Sequence, residues 1–254
     1  MDNSMAQRPA HIEKEEWEVR QQLAACYRLV GLHGWTDLVF THISARVPGP
    51  HDHFLLNPFG SAFDEVTASS LVRIDLDGNV VDGSGARIHP AGFVIHSAIH
   101  GARADAGCVI HTHSTAGMAL SMLKDGLQSL SQHAALFHGR LGYHEYEGFA
   151  LDLEERRRLV ADLADHPAMI LRNHGLLVVG RTVPEAFSIL HHLEKAAQAQ
   201  LLAMSTGAEL CRPPEAVSAK TAAHGFGAPG APFGEVEWPA MLRRLDRIDL
   251  SYRS

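Results

Sequence analysis

The chain has 254 residues, 46% of them hydrophobic, and a formal net charge of -7. That is enough apolar sequence for one domain with a sizeable core, and the acidic balance, with no basic run, excludes a nucleic-acid partner. No apolar segment approaches the roughly 20 residues of a membrane span, the N-terminus lacks a signal-peptide core, and the three scattered cysteines make neither a disulfide framework nor a cysteine zinc site, so a cytoplasmic protein without membrane contact is expected.

Residues 1–11 lack periodicity and read as a flexible leader, ahead of one domain over residues 12–211. Glu13, Glu15 and Glu16 open an amphipathic helix carried by Trp17, Val19, Leu23, Tyr27 and Val30, which Gly31 and Gly34 break. Leu38 to Val47 is predicted as a strand, Pro48-Gly49-Pro50 as its turn and His53 to Asn57 as the returning strand. The turn Asn57-Pro58-Phe59-Gly60 is placed to face a ligand. After a short helical turn at Thr67 to Ser70, Leu71 to Asp75 is strand-like, and Asp77-Gly78 turns the chain into Val80-Val81.

Phe93 to Ala102 has helical spacing and puts His96 and His100 on one face. Cys108 to Ile110 reads as a buried strand that ends in His111-Thr112-His113; residues two apart share a face, so both imidazoles can reach one metal ion. Thr115 to Leu123 is a short helix, followed by Leu130 to Ala134, whose Gln132 and His133 are close enough in sequence to enter the site region. Tyr143 to Gly148 reads as irregular edge, and Leu153 to Leu163 as a charged surface helix. A second apolar strand, from Met169, has His174 at its end, followed at once by Gly175 and continuing into Val178-Val179-Gly180, and brings a third imidazole; three neutral nitrogens would hold a divalent ion and leave positions open for substrate. Val183 to Ala203 is a long helix, and residues 212–254 form a Gly-, Pro- and Ala-rich tail whose Trp238 to Leu245 helix could dock back or reach a neighbour.

These segments resemble the class II aldolase/adducin family. The resemblance runs from about Leu38 to Gly207 and rests on Thr41 to Arg46, Asn57-Pro58-Phe59-Gly60, Val66 to Val72, Ala91 to Ile99, His111-Thr112-His113 and Leu171 to Gly175. His53 to Gly60 and Val66 to Val72 are closer to adducin heads than to the aldolases. The resemblance implies a three-layer α/β/α sandwich around a mainly antiparallel sheet. It also implies a homotetramer with sites at subunit interfaces, and a divalent ion, zinc first and manganese or iron next, on His111, His113 and His174. It further implies a small-molecule substrate bound near His42, Asn57, Phe59, Gly60 and Gly92.

The departures are as informative. The sugar-phosphate aldolases carry an acid four residues before the position of His96, where this chain has Gly92, and Pro90 and Ala91 replace small hydroxyl residues that hold phosphate. An asparagine and a threonine of the phosphate pocket become His42 and Phe59. A phosphate cradle needs convergent N–H and O–H donors, so an unphosphorylated substrate is expected. Proton transfer then falls to His96, Gln132, His133 or, through a mobile C-terminus, Tyr252. The first functional reading is a metal-dependent lyase on a small hydroxy- or oxo-acid, performing aldol cleavage or decarboxylation through a metal-stabilised enolate. The second is a non-haem iron oxygenase on the same histidines, and the third a non-catalytic assembly domain like the adducin heads.

Overall fold

The structure is a computed structural model that describes residues 8–49, 51–148, 154–228 and 231–254, so most of the expected leader lies outside the described residues. Helix α1 (Lys14–Leu32) carries Glu15 and Glu16 in its first turn, where carboxylates oppose the positive end of the helix dipole. Its inner face buries Leu23, Tyr27 and Val30, and the chain leaves it at Gly34, whose φ of +70° suits glycine.

Seven strands form the central sheet: β1 (His42–Arg46), β2 (His53–Leu56), β3 (Val72–Asp75), β4 (Cys108–Thr112), β5 (Leu141–His144), β6 (Ala168–Leu171) and β7 (Gly175–Gly180). Their order is β3-β2-β1-β4-β7-β6-β5, and every neighbouring pair is antiparallel except β5 with β6. Helices α2 (Pro90–Ala102) and α5 (Glu155–Leu163) pack on one face; α1, α3 (Thr115–Ser121) and α6 (Val183–Ser205) pack on the other. The expected α/β/α sandwich with a mainly antiparallel sheet is therefore found.

The two-residue period of the strands divides the core between these faces. Cys108 and Ile110 join Ile43, Ile170, Leu176 and Val178 on the α1–α6 side, while Val109 joins Leu177, Val179, Ile95 and Ile99 on the α2–α5 side. Each such aliphatic side chain contributes roughly 1.5–3 kcal/mol by leaving water. The alternation also decides where the histidines go. Ile43 pairs with Ile110 and His42 with His111, so the two imidazoles share the α2 face.

One expectation needs correction. Tyr143 was placed in an irregular segment, but Leu141–His144 forms edge strand β5, because the ladder to β6 supplies the hydrogen bonds that its own sequence pattern does not advertise. Of the two positions expected for the C-terminal helix, the structure shows the one that docks back. After α7 (Glu215–His224) and the small β8–β9 pair (Gly227–Ala228 and Ala231–Pro232), helix α8 (Trp238–Asp246) docks back, and Trp238, Leu245 and Tyr252 join the main cluster.

Candidate metal centre

Where β4 runs out, His111 and His113 project to the α2 face, and the turn from β6 to β7 delivers His174 to the same place. Asn173 holds that turn with a φ of +54°, a conformation asparagine tolerates better than most residues. Its backbone N–H and that of His174 donate to the carbonyl and hydroxyl of Ser121 at the end of α3. Gly175 is required next, since a Cβ there would stand 2.3 Å from the Thr112 carbonyl oxygen. The result is convergence: His113 Nε2 lies 2.9 Å from His111 Nε2 and 2.8 Å from His174 Nε2, and the potential ligand atoms all fall within 4.8 Å of one another.

The outer nitrogens settle which ring atoms carry protons. His111 Nδ1 is 3.0 Å from the Leu176 carbonyl oxygen, which only accepts, so Nδ1 carries the proton. His113 Nδ1 is 2.9 Å from Asp37 Oδ2 and is fixed the same way. Both Nε2 atoms then hold lone pairs that face each other, an arrangement that repels unless a cation lies between them. Protonation of His111 or His174 is a poor remedy. Burial first, then the neighbouring imidazoles, push His111 far below the usual histidine range, and burial, His113 and His144 take His174 down to about 4. Neutral imidazoles with inward lone pairs suit a divalent ion, which three nitrogens leave open to substrate.

Next to the centre lies a second histidine cluster. His42 Nδ1 is 2.9 Å from His96 Nε2, His96 Nδ1 is 2.5 Å from Ser44 Oγ, and Ser44 Oγ is 2.7 Å from His100 Nε2. His100 Nδ1 ends the series 3.0 Å from the Ala106 carbonyl oxygen. The ring of His42 also covers Gly92: a Cβ on that glycine would lie 2.8 Å from His42 Cδ2. The ground that an acidic side chain at residue 92 would occupy is thus filled by an imidazole. At the start of α2, His89 accepts from the Gly92 N–H at 3.3 Å, while Phe59 meets the His89 ring edge-on at 4.8 Å between centroids. A helix N-terminal amide that could have met an anion is already engaged.

The remaining expected site residues are less concentrated. Gly60 is exposed with a φ of +97° beside the half-buried Phe59. Asn57 is turned to the other side of the sheet, where its side-chain amide is engaged by the Tyr27 hydroxyl at 2.8 Å. Gln132 and His133 begin the short helix α4 (Gln132–Ala135), exposed, with the His133 ring stacked on His192 at 5.1 Å. Among the described residues, no hydrogen bond or ring contact joins either of them to the three histidines. Tyr252 is not on a mobile end: it is 1% exposed, its hydroxyl is 2.7 Å from Asp246 Oδ1, and its carbonyl accepts from the Ala68 N–H.

Three residues escaped the sequence reading. Asp37 lies 76 positions from the His113 it orients, too far for any local pattern. His89 was legible in principle, as a polar cap directly before a proline in the first helical turn. Glu194 of α6 is fully buried with both carboxylate oxygens lacking a well-formed hydrogen bond. Burial pushes its carboxyl up to about 7, against a smaller opposing influence of the Ser114 hydroxyl.

Fold and site together define an α/β/α protein with three converging imidazoles at the end of its central strands that could hold a metal ion. The sequence profile described as "Class II Aldolase and Adducin N-terminal domain" matches residues 21–201. A Caulobacter vibrioides protein provisionally named as a class 2 aldolase is 49% identical over 95% of this chain and 94% of its own length. Alpha-adducin of Rattus norvegicus is 41% identical over 95% of this chain, which spans only 34% of that protein. The solved structure of L-fuculose 1-phosphate aldolase from Glaciozyma antarctica superposes with a TM-score of 0.84 at 31% identity, covering 98% of both chains. The chain belongs to the class II aldolase and adducin family.

Proposed function

We propose that the protein is a divalent-metal-dependent lyase that breaks a C–C bond, by aldol cleavage or decarboxylation, in a small unphosphorylated hydroxy- or oxo-acid. The observation that carries this reading is the contact between two lone pairs at His111 and His113, which a cation relieves. His111, His113 and His174 would hold the ion, zinc in the first instance. When bound it supplies Lewis acidity, the electron sink that both reactions use.

The chain's own residues supply orientation and exclusion. Asp37 and the Leu176 carbonyl keep the ligand rings in register. Phe59, His89 and His42 line the approach with rings in place of a phosphate cradle, and the Gly92 amide is already engaged by His89, which supports an unphosphorylated substrate. His96 is spent on its neighbours, so Gln132 and His133, exposed on α4, would serve a site only from a second copy in a cytoplasmic homotetramer.

The test is the metal content of the purified protein, followed by chelation, reloading with zinc, manganese or iron, and assay of C–C cleavage on small hydroxy- and oxo-acids. Zinc- or manganese-dependent cleavage is expected. Iron with oxygen uptake would favour an oxygenase instead. The 41% identity to alpha-adducin favours a second reading, a non-catalytic assembly domain; absence of metal affinity together with indifference to chelation would establish it over the lyase.

A further inference from the structure

The cluster beside the metal centre has only one consistent set of proton positions. The Ala106 carbonyl accepts, so His100 Nδ1 is the donor there. A neutral His100 then offers a lone pair at Nε2, and the Ser44 hydroxyl donates to it. Having used its proton, Ser44 Oγ accepts from His96 Nδ1, and His96 Nε2 in turn accepts from His42 Nδ1. His42 is left with a lone pair on Nε2, for which no partner exists among the described residues. All four groups are buried. Burial, foremost, takes His100 down to about 3, with the nearby Arg46 adding to the effect.

We propose that Ser44, His96 and His100 are positioning residues that hold His42 in its Nδ1–H form, making His42 Nε2 an acceptor beside the metal centre for a substrate hydroxyl. The proposal rests on the metal-dependent reading above and narrows its substrate class to acids that carry a hydroxyl for His42 besides the carbonyl that the C–C cleavage needs at the metal. The location supports it. His42 sits directly across the ladder from His111, with ring centroids 5.3 Å apart, and occupies the ground beside Gly92. An ionised phosphate or a keto oxygen presents only lone pairs to such an atom and is repelled; a hydroxyl brings the matching proton.

Two measurements decide it. Long-range 1H–15N spectra of metal-free protein labelled with 15N-histidine read the tautomer of each ring directly, with His42 identified by the signal lost in His42→Phe. His42, His96 and His100 are expected as Nδ1–H forms, and His42 and His96 are expected to mix tautomers in Ser44→Ala. An Nε2–H form of His42 in the unaltered protein overturns the proposal, whether or not metal binds.

In the Co2+-loaded protein, shifts in the visible spectrum report binding of lactate, pyruvate and inorganic phosphate. Lactate should bind tighter than pyruvate by on the order of tenfold or more. That ratio should shrink severalfold in Ser44→Ala at unchanged Co2+ affinity. A ratio that Ser44→Ala leaves intact overturns the proposal while the metal-dependent reading survives. Failure of Co2+ to bind sinks that reading and the hydroxyl assignment with it, leaving the tautomer spectra to decide the positioning role.

Discussion

Two histidine clusters lie side by side on the α2 face of the sheet, and their hydrogen bonds balance in opposite ways. Along His100, Ser44, His96 and His42 each proton meets a lone pair, and the series closes on a backbone carbonyl. At His111 and His113 the protons are drawn outward to Leu176 and Asp37, and two lone pairs meet. The balanced cluster is fully buried on β1 and α2, whereas His113 and His174 are half-buried just past β4 and before β7, yet residue type does not distinguish the two clusters. What distinguishes a metal ligand from a packed histidine here is the partner of the far ring nitrogen.

The largest expected effect follows from the unbalanced cluster. His113→Ala should weaken zinc binding by more than the roughly 100-fold that loss of a supporting group costs, as read by competition titration. The metal-free protein should lose no thermal stability, because the same change removes the lone-pair contact. A fall in stability without a fall in zinc affinity would break the comparison.

Glu194 sharpens it from the other face, as an unbalanced group with no ion to remedy it. Its folded-state pKa of about 7 lies above the ordinary value of 4.5. Between those values the folded protein keeps a proton that the unfolded chain releases, so stability falls as pH rises from 4.5 to 7 and the loss is complete above 7. The full shift corresponds to roughly 3 kcal/mol. Glu194→Gln should recover up to that amount at pH 8 and nothing near pH 4.5, measured by urea denaturation. A gain of equal size at both pH values would reject burial of the charge as the cause.

The balanced cluster is tested at Gly92. Gly92→Glu should cost about 1–3 kcal/mol by overpacking, since its Cβ would stand 2.8 Å from the His42 ring. Adding His42→Asn should return most of that loss. If the double variant is no more stable than Gly92→Glu, the two positions do not compete for one space.

Much of this was legible in the sequence. The strand ending in His111-Thr112-His113 announced its face by the two-residue period, and a second apolar stretch announced His174 as a third imidazole, although the turn that splits that stretch into β6 and β7 was not read. The spacing of His96 and His100 likewise placed both on one side of α2, and the structure directs both to Ser44. The misses share a cause: they depend on partners distant in sequence. Asp37 reaches His113 from a loop before β1, β5 exists through its pairing with β6, and Tyr252 is held by Asp246 and by the backbone around Ala68. Asn57 looked like a ligand-facing turn residue until Tyr27, from α1, engaged its amide.

The smallest effect is expected at His133, which belongs to neither cluster. Its ring is exposed and stacks on His192, whose own Nδ1 is satisfied by the Ser188 carbonyl at 2.8 Å. His133→Ala should therefore change stability by no more than about 0.5 kcal/mol and leave zinc affinity unaltered. Turnover is the informative readout once a substrate is in hand. Activity lost at constant zinc affinity and stability would mean that His133 acts on the centre of another copy, for among the described residues no hydrogen bond or ring contact joins α4 to the three histidines. Unchanged activity would confine proton transfer to groups on the α2 face, among them His42, whose Nε2 has no hydrogen-bond partner among the described residues.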